Sequence, residues 1–492
     1  MDEAVSLKDY MDGRKGKTVR LIPILYKAKE LSGEITAPIQ QMIAEEMKLP
    51  LSEVSAAVTF YSAFNGMNDG EVELKYLNLP KAEGELFRLL EHPGGYQAVR
   101  KYLNENTDLI TLLREAKVCG RSGSGFPVAN KWELTKNTEN NQKYIICNGS
   151  EGEGNTFKDM VLLTKVPHAV IEGMVLCAME TEIQEGILYV RAEYKEAYFQ
   201  VERAIAEAYE EGILGEDILG SGKSFHLEAI LGGGAYVSGE ETGLLQALEG
   251  KRSEPRLKPP YPGVSGLYGK PTIINNAESF AAAAALVLWG VEDFLSAGTA
   301  GAGGSKLYTV CGAVKNPGVY EAPYHITAAE LLEMAGGAPE NQEVKGFQIG
   351  GGATGSFGNG EQMNTVLDHV GCREKGLALG TASIYYIEEK ESVVSLALKS
   401  IVFLKDQSCG MCTACKYGLE ELSDRLTQLC DGKGTKRTLE EIGSLCDYIA
   451  GGARCALGQA SPTAVTTARK AFPEEFEALC GKEAAPYEYS EL

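Results

Sequence analysis

The sequence predicts an α/β protein in four parts. A helical segment (1–65) leads into a linker and larger α/β domain (66–300), then a small β-rich domain (301–385) and a helical C-terminal part (386–492) that carries a cysteine cluster. Three observations predict this. Strand-like and helix-like patterns alternate between about 119 and 300, the mark of a helix-covered sheet. A β-rich stretch with a turn at Asn316, Pro317 and Gly318 follows. At both ends apolar residues recur at spacings of three and four, one face of a helix.

In chain order, "TVRLIPILYKAKELSGEI" and "TAPIQQMIAEEMKLPLSEVSAAVTFYSAF" read as three or four short helices, with a restart capped by Ser52. "GEVELKYLNL" reads as one strand, and "GGYQAVRKYLNENTDLITLLREA" as helix running into a glycine-rich turn at Cys119. "KYIICN" and "GILYVRAEY" are strands, and "HAVIEGMVLCAME" and "YFQVERAIAEAYEEG" are helices between them. The apolar run 280–291 is shorter than the ~20 residues a bilayer requires and reads as a buried helix. "SVVSLALKSIVFL", "LEELSDRLTQLC" and "LEEIGSLCDYI" are the C-terminal helices.

The 492 residues carry a net charge of −21, which argues against nucleic acid and anionic membrane surfaces as partners. The N-terminus has no apolar signal core, so the expectation is a cytoplasmic protein with no direct membrane insertion. In that reducing setting the twelve cysteines are expected to be thiols or metal ligands. Cys119, Cys147, Cys177, Cys311, Cys372, Cys430, Cys446 and Cys480 stand singly and read as buried small hydrophobes.

The other four stand together. "SCGMCTACKYG" spaces Cys409, Cys412 and Cys415 three apart, and "GGARCALG" offers Cys455 as a fourth ligand. Three thiolates on one turn and a remote fourth suit a [4Fe–4S] cubane. Zinc, which prefers paired Cys-x2-Cys knuckles or histidines, is the alternative.

Two glycine-rich loops stand out. In "CGRSGSGFPVANKW", Gly120, Gly123 and Gly125 follow a helix rather than a strand, so this is not a dinucleotide fingerprint. Such a loop can expose backbone N–H groups to an anion, with Arg121 and Lys131 adding positive charge, or be a structural turn alone. "GGGAYVSGEETG" is a second loop of this kind, ending in Glu240 and Glu241, a carboxylate pair suited to a helix N-terminus or to ribose and carboxamide groups.

Five stretches in order, "GRSGSGFP", "CNGSEGEGNTFKD", "GAYVSGEET", "EGKRSEPRLKPPYPGVSGLYGKPTIINNAES" and "SCGMCTACKYG…CALG", carry a resemblance over residues 93–480. The chain resembles the NADH-binding flavoprotein subunit of respiratory complex I and the diaphorase subunits of NAD-linked hydrogenases and formate dehydrogenases. The resemblance implies FMN, a [4Fe–4S] cluster and NAD(H) as cofactors, and a ubiquitin-like (β-grasp-like) fold for the β-rich domain. It places FMN near Gly120, Arg121, Gly123, Lys131, Asn148, Ser150, Tyr236, Gly239, Glu240, Asn275 and Asn276. It sets the nicotinamide by Glu153 and Glu241, the catalytic carboxylates, and the adenine against Phe126 and Tyr261 with Lys258 nearby. Electrons then pass to the cluster on Cys409, Cys412, Cys415 and Cys455. Residues 1–65 resemble the helical part of the family's [2Fe–2S] partner subunit, but no cysteine precedes Cys119, so the partner's cluster is absent.

Three departures from the family pattern bear on the site. Ser150 stands where an aspartate is expected against the flavin, which should stabilise the reduced, anionic flavin and raise its potential. Leu134 replaces an aromatic near the adenine, and Ser238 a cysteine. They leave NADP(H) open beside NAD(H). The implied partners are other redox subunits, an iron–sulfur chain and a hydrogenase- or dehydrogenase-type catalytic chain, in a soluble complex, with electron bifurcation left open. The alternative is an electron relay or scaffold that has lost the dinucleotide.

Overall fold

The computed structural model describes residues 2–12, 20–64, 89, 92–105 and 107–480. The strand expected in "GEVELKYLNL" lies outside the described residues.

Four helices open the chain: α1 (Asp2–Asp12), α2 (Leu21–Ser32), α3 (Ala37–Met47) and α4 (Leu51–Phe60). Ser52 does not cap α4. Pro50 is the residue before the helix, with no side-chain cap, and Ser52 is exposed in its first turn. Proline does the starting here, because its ring holds φ near −57° and it has no N–H to satisfy.

Helices α5 (Gln97–Glu105), α6 (Leu109–Glu115) and α7 (Val128–Asn137) lead into β1 (Tyr144–Gly149). Then come α8 (Lys158–Lys165), α9 (Pro167–Thr181), β2 (Glu185–Val190), α10 (Lys195–Glu210), β3 (His226–Leu231), α11 (Glu241–Leu248), β4 (Thr272–Asn276) and α12 (Ala277–Ser296). The four strands pair in parallel in the order β3-β2-β1-β4. A parallel sheet must be covered on both faces, and the side chains divide accordingly. Ile145, Cys147, Leu188, Val190 and Ile273 join the core of α9 and α12. Tyr144, Ile146, Ile187, Tyr189 and Ile274 join Leu25, Val54 and Ala57 of the N-terminal helices and Leu244 of α11. The N-terminal segment is thus the second helical layer of the α/β domain.

Helix α12 is long and apolar enough to cross a membrane. Here residues 277–287 are buried in the protein core, and the helix breaks at Gly290, where φ is +84°.

The β-rich domain is a mixed five-stranded sheet, ordered β6-β5-β9-β7-β8. Its strands are β5 (Ser305–Gly312), β6 (Gly318–Pro323), β7 (Val344–Ile349), β8 (Ser356–Asn359) and β9 (Ser383–Glu388), with α13 (Ala328–Met334) and α14 (His369–Glu374) packed on it. Parallel β5 and β9 at its centre are flanked by antiparallel pairs. The C-terminal bundle comprises α15 (Val393–Asp406), α16 (Thr413–Cys430), α17 (Lys436–Gly452), α18 (Ala456–Ala460), α19 (Thr463–Ala471) and α20 (Pro473–Ala478). Leu398, Ile401, Leu422, Leu426, Ile442 and Ile449 fill its core.

Candidate functional site

In an open parallel sheet, ligands settle at the carboxyl ends of strands where the order reverses. That point lies between β1 and β4, whose carboxyl ends carry Asn148, facing Asn276 across the ladder, and Asn275. The Asn148 side chain ties two segments together, donating to the Gly239 carbonyl at 2.9 Å and accepting from the Ser150 N–H at 3.0 Å. A Cβ on Gly239 would lie 3.0 Å from the Ser150 carbonyl oxygen, so glycine permits this approach. Asn275 accepts from the Trp132 indole at 3.1 Å. Asn276 caps α12 through the Glu278 N–H.

A charge cluster completes this end of the sheet. Glu240 caps α11, its carboxylate accepting from the N–H groups of Thr242 (2.9 Å) and Gly243 (3.0 Å). The Lys258 ammonium bridges Glu240 and Glu241, 2.9 Å from each. Lys131, on α7, donates to the Ile274 carbonyl at 2.8 Å and reaches Glu241 at 3.4 Å. Burial acts to raise the Glu241 carboxyl, but Lys131 and Lys258 outweigh it and hold the group below the usual carboxylate range. Phe126 and Tyr261, both outside helices and strands, stand half exposed, as do Leu134 of α7 and Leu257. They are apolar surface on which a flat ring can stack.

The first glycine loop differs from expectation at Arg121. Its side chain is not offered to a ligand; it is 1% exposed and turned into the core. Its guanidinium donates to Glu278 at 3.2 Å, to the Gly303 carbonyl at 3.1 Å and to the Ser305 carbonyl. Its own N–H is held by Ser279 and that of Gly120 by the Phe126 carbonyl. A buried cation must be paired, and Glu278 is the only acid of the "NNAES" stretch. Gly123 and Gly125 have φ of +123° and +60°, and a Cβ on Gly125 would lie 2.9 Å from the His369 ring. Their freedom lets the β-rich domain close on the loop.

The second glycine loop is also not an anion nest at its start. A Cβ at Gly233 would lie 2.5 Å from the Tyr61 ring, and one at Gly232 would collide with the Tyr189 hydroxyl. These glycines make room for protein.

Glu153 and Glu241 take different partners. Glu153 accepts from the Tyr236 hydroxyl at 2.6 Å and from the N–H groups of Ala353 (2.9 Å) and Thr354 (2.6 Å) in the β-rich domain. Burial raises its carboxyl despite those bonds. Tyr236 in turn packs edge-on against Phe403 of α15, with ring centroids 5.3 Å apart, and its N–H donates to Gln407 at 3.4 Å. Tyr236 therefore joins the sheet's ligand end to the helix that leads into the cysteine loop.

Sequence reasoning missed the buried network behind this site. Glu278 gathers Arg121, Lys158 (3.1 Å) and Lys306. Lys158 also pairs with Asp159 at 2.6 Å. Glu151 accepts from the N–H groups of Asp159 and Met160, and burial beside Asp159 raises its carboxyl. The charged residues are plain in "NTFKD" and "NNAES", but nothing local says that the two stretches meet.

Cys412 precedes α16, Cys415 lies in its first turn, and Cys455 precedes α18. Small residues bring these turns together: a Cβ on Gly452 would lie 2.8 Å from Ala414, and one on Gly458 3.6 Å from the Cys415 sulfur. Burial pushes the Cys415 thiol up to about 11, against the opposing hydrogen bond from Ser408 and with smaller contributions from Cys412, Cys455 and Cys409. Among the described residues no group of three or more metal-ligating side chains is already gathered around one point. An all-cysteine donor set on two adjoining turns fits an iron–sulfur cluster, which holds its ligands as thiolates. Of the eight single cysteines, Cys119, Cys147, Cys177, Cys372 and Cys446 are buried, whereas Cys311, Cys430 and Cys480 are only half-buried.

Residues 113–285 match the Nuo51 FMN-binding domain, 307–364 the SLBB domain and 395–479 the NADH-ubiquinone oxidoreductase-F iron-sulfur binding region. Residues 7–78 match a thioredoxin-like [2Fe-2S] ferredoxin. The chain is 39% identical over 413 residues to an F-type subunit of the NADH-quinone oxidoreductase of Rhizobium meliloti, covering 83% of this chain and 98% of that one. It is 36% identical over 386 residues to the NADP-reducing hydrogenase subunit HndC of Solidesulfovibrio fructosivorans, covering 78% of each. Its fold matches a chain of an NAD+-reducing [NiFe]-hydrogenase with a TM-score of 0.81 at 24% identity, over 94% of this chain and 93% of that one. With the FMN-type sheet end, the β-rich domain and the four-cysteine bundle in one polypeptide, the chain belongs to the family of NADH-quinone oxidoreductase F-type subunits, the FMN- and [4Fe–4S]-carrying members of their complexes.

Proposed function

We propose that the chain is a diaphorase-type subunit that exchanges a hydride with NAD(H) at FMN and passes single electrons through the cysteine-held cluster to other redox subunits. The observation that carries this is the joint at Tyr236. One residue bonds the acidic stretch at the sheet's ligand end through Glu153 and packs on the helix entering the cysteine loop. Bound FMN accepts an electron pair and releases electrons one at a time, which a nicotinamide and a cubane cannot do for each other.

The chain's own residues supply position and charge. Lys131, Asn148, Ser150, Gly239 and Asn275 line the flavin's place at the end of β1 and β4, with Gly120, Gly123, Tyr236, Glu240 and Asn276 around it. Arg121 supports its loop from within. Glu241 and Lys258, held by mutual charge, orient the dinucleotide, with Phe126 and Tyr261 as stacking surface and Glu153 at the joint. The intact ion cluster favours this reading over a relay without dinucleotide. The partners are an iron–sulfur chain and a hydrogenase- or dehydrogenase-type catalytic chain, in a reducing cytoplasmic setting that suits the thiols.

Anaerobic NADH added to the purified, FMN-loaded chain is expected to bleach the flavin absorbance within the mixing time of a rapid experiment; an unchanged spectrum overturns the reading. The same titration with NADPH decides between the dinucleotides. Glu241→Gln removes the charge that Lys131 and Lys258 share, and should slow this reduction about 10–100-fold with FMN still bound. An unaltered rate removes Glu241 from the site. Ser150→Asp should lower the flavin midpoint potential, because an added anion disfavours the reduced, anionic ring. An unchanged or higher potential places Ser150 away from the flavin.

A further inference from the structure

The segment that matches a [2Fe-2S] ferredoxin model contains no cysteine, since the first in the chain is Cys119. It has no thiolate with which to hold such a cluster. Its contacts show a different use.

Three successive carbonyls of the second glycine loop accept hydrogen bonds from this segment. Gly232 accepts from the Tyr26 hydroxyl at 2.6 Å. Gly233 accepts from the Ala63 N–H at 3.1 Å. Gly234 accepts from the Ser62 N–H at 3.2 Å and the Ser62 hydroxyl at 2.8 Å. The glycines are what let the two stretches meet: a Cβ on Gly234 would collide with the Ser62 hydroxyl. Lys29 donates to the Ala63 carbonyl at 2.8 Å and so anchors the pairing stretch to α2.

A second set of contacts reaches the stretch after α11, which bonds back to the same loop through Ser253. The Tyr61 hydroxyl donates to the Lys251 carbonyl at 2.5 Å and lies 3.2 Å from Ser253. Ser253 bonds Ser238 at 2.6 Å and the Gly243 carbonyl at 3.0 Å. The Arg252 guanidinium lies over the Phe60 ring at 4.9 Å. Tyr236, Gly239, Glu240 and Glu241 lie between these two anchored stretches, and Lys258 follows a few residues after Ser253.

We propose that the N-terminal helical segment is a built-in positioning brace: Tyr26, Tyr61 and Ser62 fix the second glycine loop and its carboxylates for flavin and dinucleotide. The brace acts through the loop and touches neither ligand. It rests on the reading that this loop lines the flavin and NAD(H) site.

The test uses the full chain carrying Tyr26→Phe and Tyr61→Phe together, which removes two hydroxyl donors and keeps both rings. Ser62→Ala, the loss of one hydroxyl, serves if the double variant does not fold. Amide hydrogen exchange of the FMN-free chain is expected to quicken at residues 232–243 and not in β4. FMN titration should show about tenfold weaker binding, the effect of losing two ordinary hydrogen bonds. At saturating FMN the NADH KM should rise several-fold with kcat little changed. Unaltered exchange at 232–243, with FMN affinity and KM as in the parent, overturns the brace. A parent chain that binds FMN and is bleached by NADH, beside a variant that behaves identically, overturns the brace alone; a parent that does neither overturns the functional reading instead.

Discussion

Replacing Cys412 with serine is expected to remove the cubane absorbance and its iron, roughly four atoms per chain falling toward none, while FMN stays bound. Cys412 is the middle thiol of the three on one turn and stands at the start of α16. A hydroxyl in its place is a poor ligand for iron at neutral pH, and the remaining three thiols leave one iron without a protein ligand. The bundle itself should persist, because Leu419, Leu422 and Leu426 bury α16 independently of the cysteines. FMN persists because its candidate site lies at the end of the parallel sheet, in another domain. Flavin still bleached by NADH, with no onward reduction of a partner, is the expected kinetic pattern. Full iron retention would show that the ligand set is wrong, and Cys455→Ser provides the independent check from the other turn.

Glu278→Gln should be the most destabilising single change in the α/β domain. The carboxylate is wholly buried and faces Arg121, Lys158 and Lys306, and it accepts from the Leu307 N–H at 2.9 Å. Glutamine fills the space but takes from Arg121 and Lys306 the carboxylate they pair with, while Lys158 keeps Asp159. Breaking a buried pair in this way costs about 3–5 kcal/mol. Urea unfolding followed by tryptophan fluorescence is a direct measure, since Trp132 packs near Phe280, two residues along α12. A midpoint shift equivalent to less than about 1 kcal/mol would mean that Lys306 adapts by losing its proton, toward which burial already pulls it, down to about 7. The pH dependence has a definite sign. Burial acts to raise Glu278, but Lys306, Lys158 and Arg121 outweigh it and hold the group at about 2. A depressed carboxyl contributes stability above its unfolded value, about 4.3, and that contribution is lost as pH falls toward the folded one. The parent chain should therefore lose this increment between about pH 4.3 and 2, and the glutamine variant should not.

Much of the chemistry was legible in the residues alone. Cys409, Cys412 and Cys415 suggest an iron–sulfur cluster because their three-residue spacing is a local property, and Cys455 is the remote cysteine offered as the fourth ligand. Glu240 and Glu241 declare a helix N-terminus because capping is satisfied within three residues, and Glu240 does cap α11. Helix and strand periods are readable for the same reason: each reports which face of one element is apolar.

What each face packs against is a different matter. The period of α2 and α4 does not say that they cover the second face of the parallel sheet. Nor does "GGGAYV" show that its glycines leave room for Tyr61 and Ser62 rather than for an anion. Arg121 reads as positive charge offered to an anion because sequence shows charge but not burial; its partner Glu278 lies 157 positions away. Glu153 likewise meets Thr354 across 201 positions. The sequence by itself determined which chemical groups the protein has and the local elements that bear them. Only the tertiary structure decided which of those groups stay available to a ligand and which are consumed in joining the domains, because a charge or a glycine is committed by its neighbours in space, and those neighbours come from distant parts of the chain.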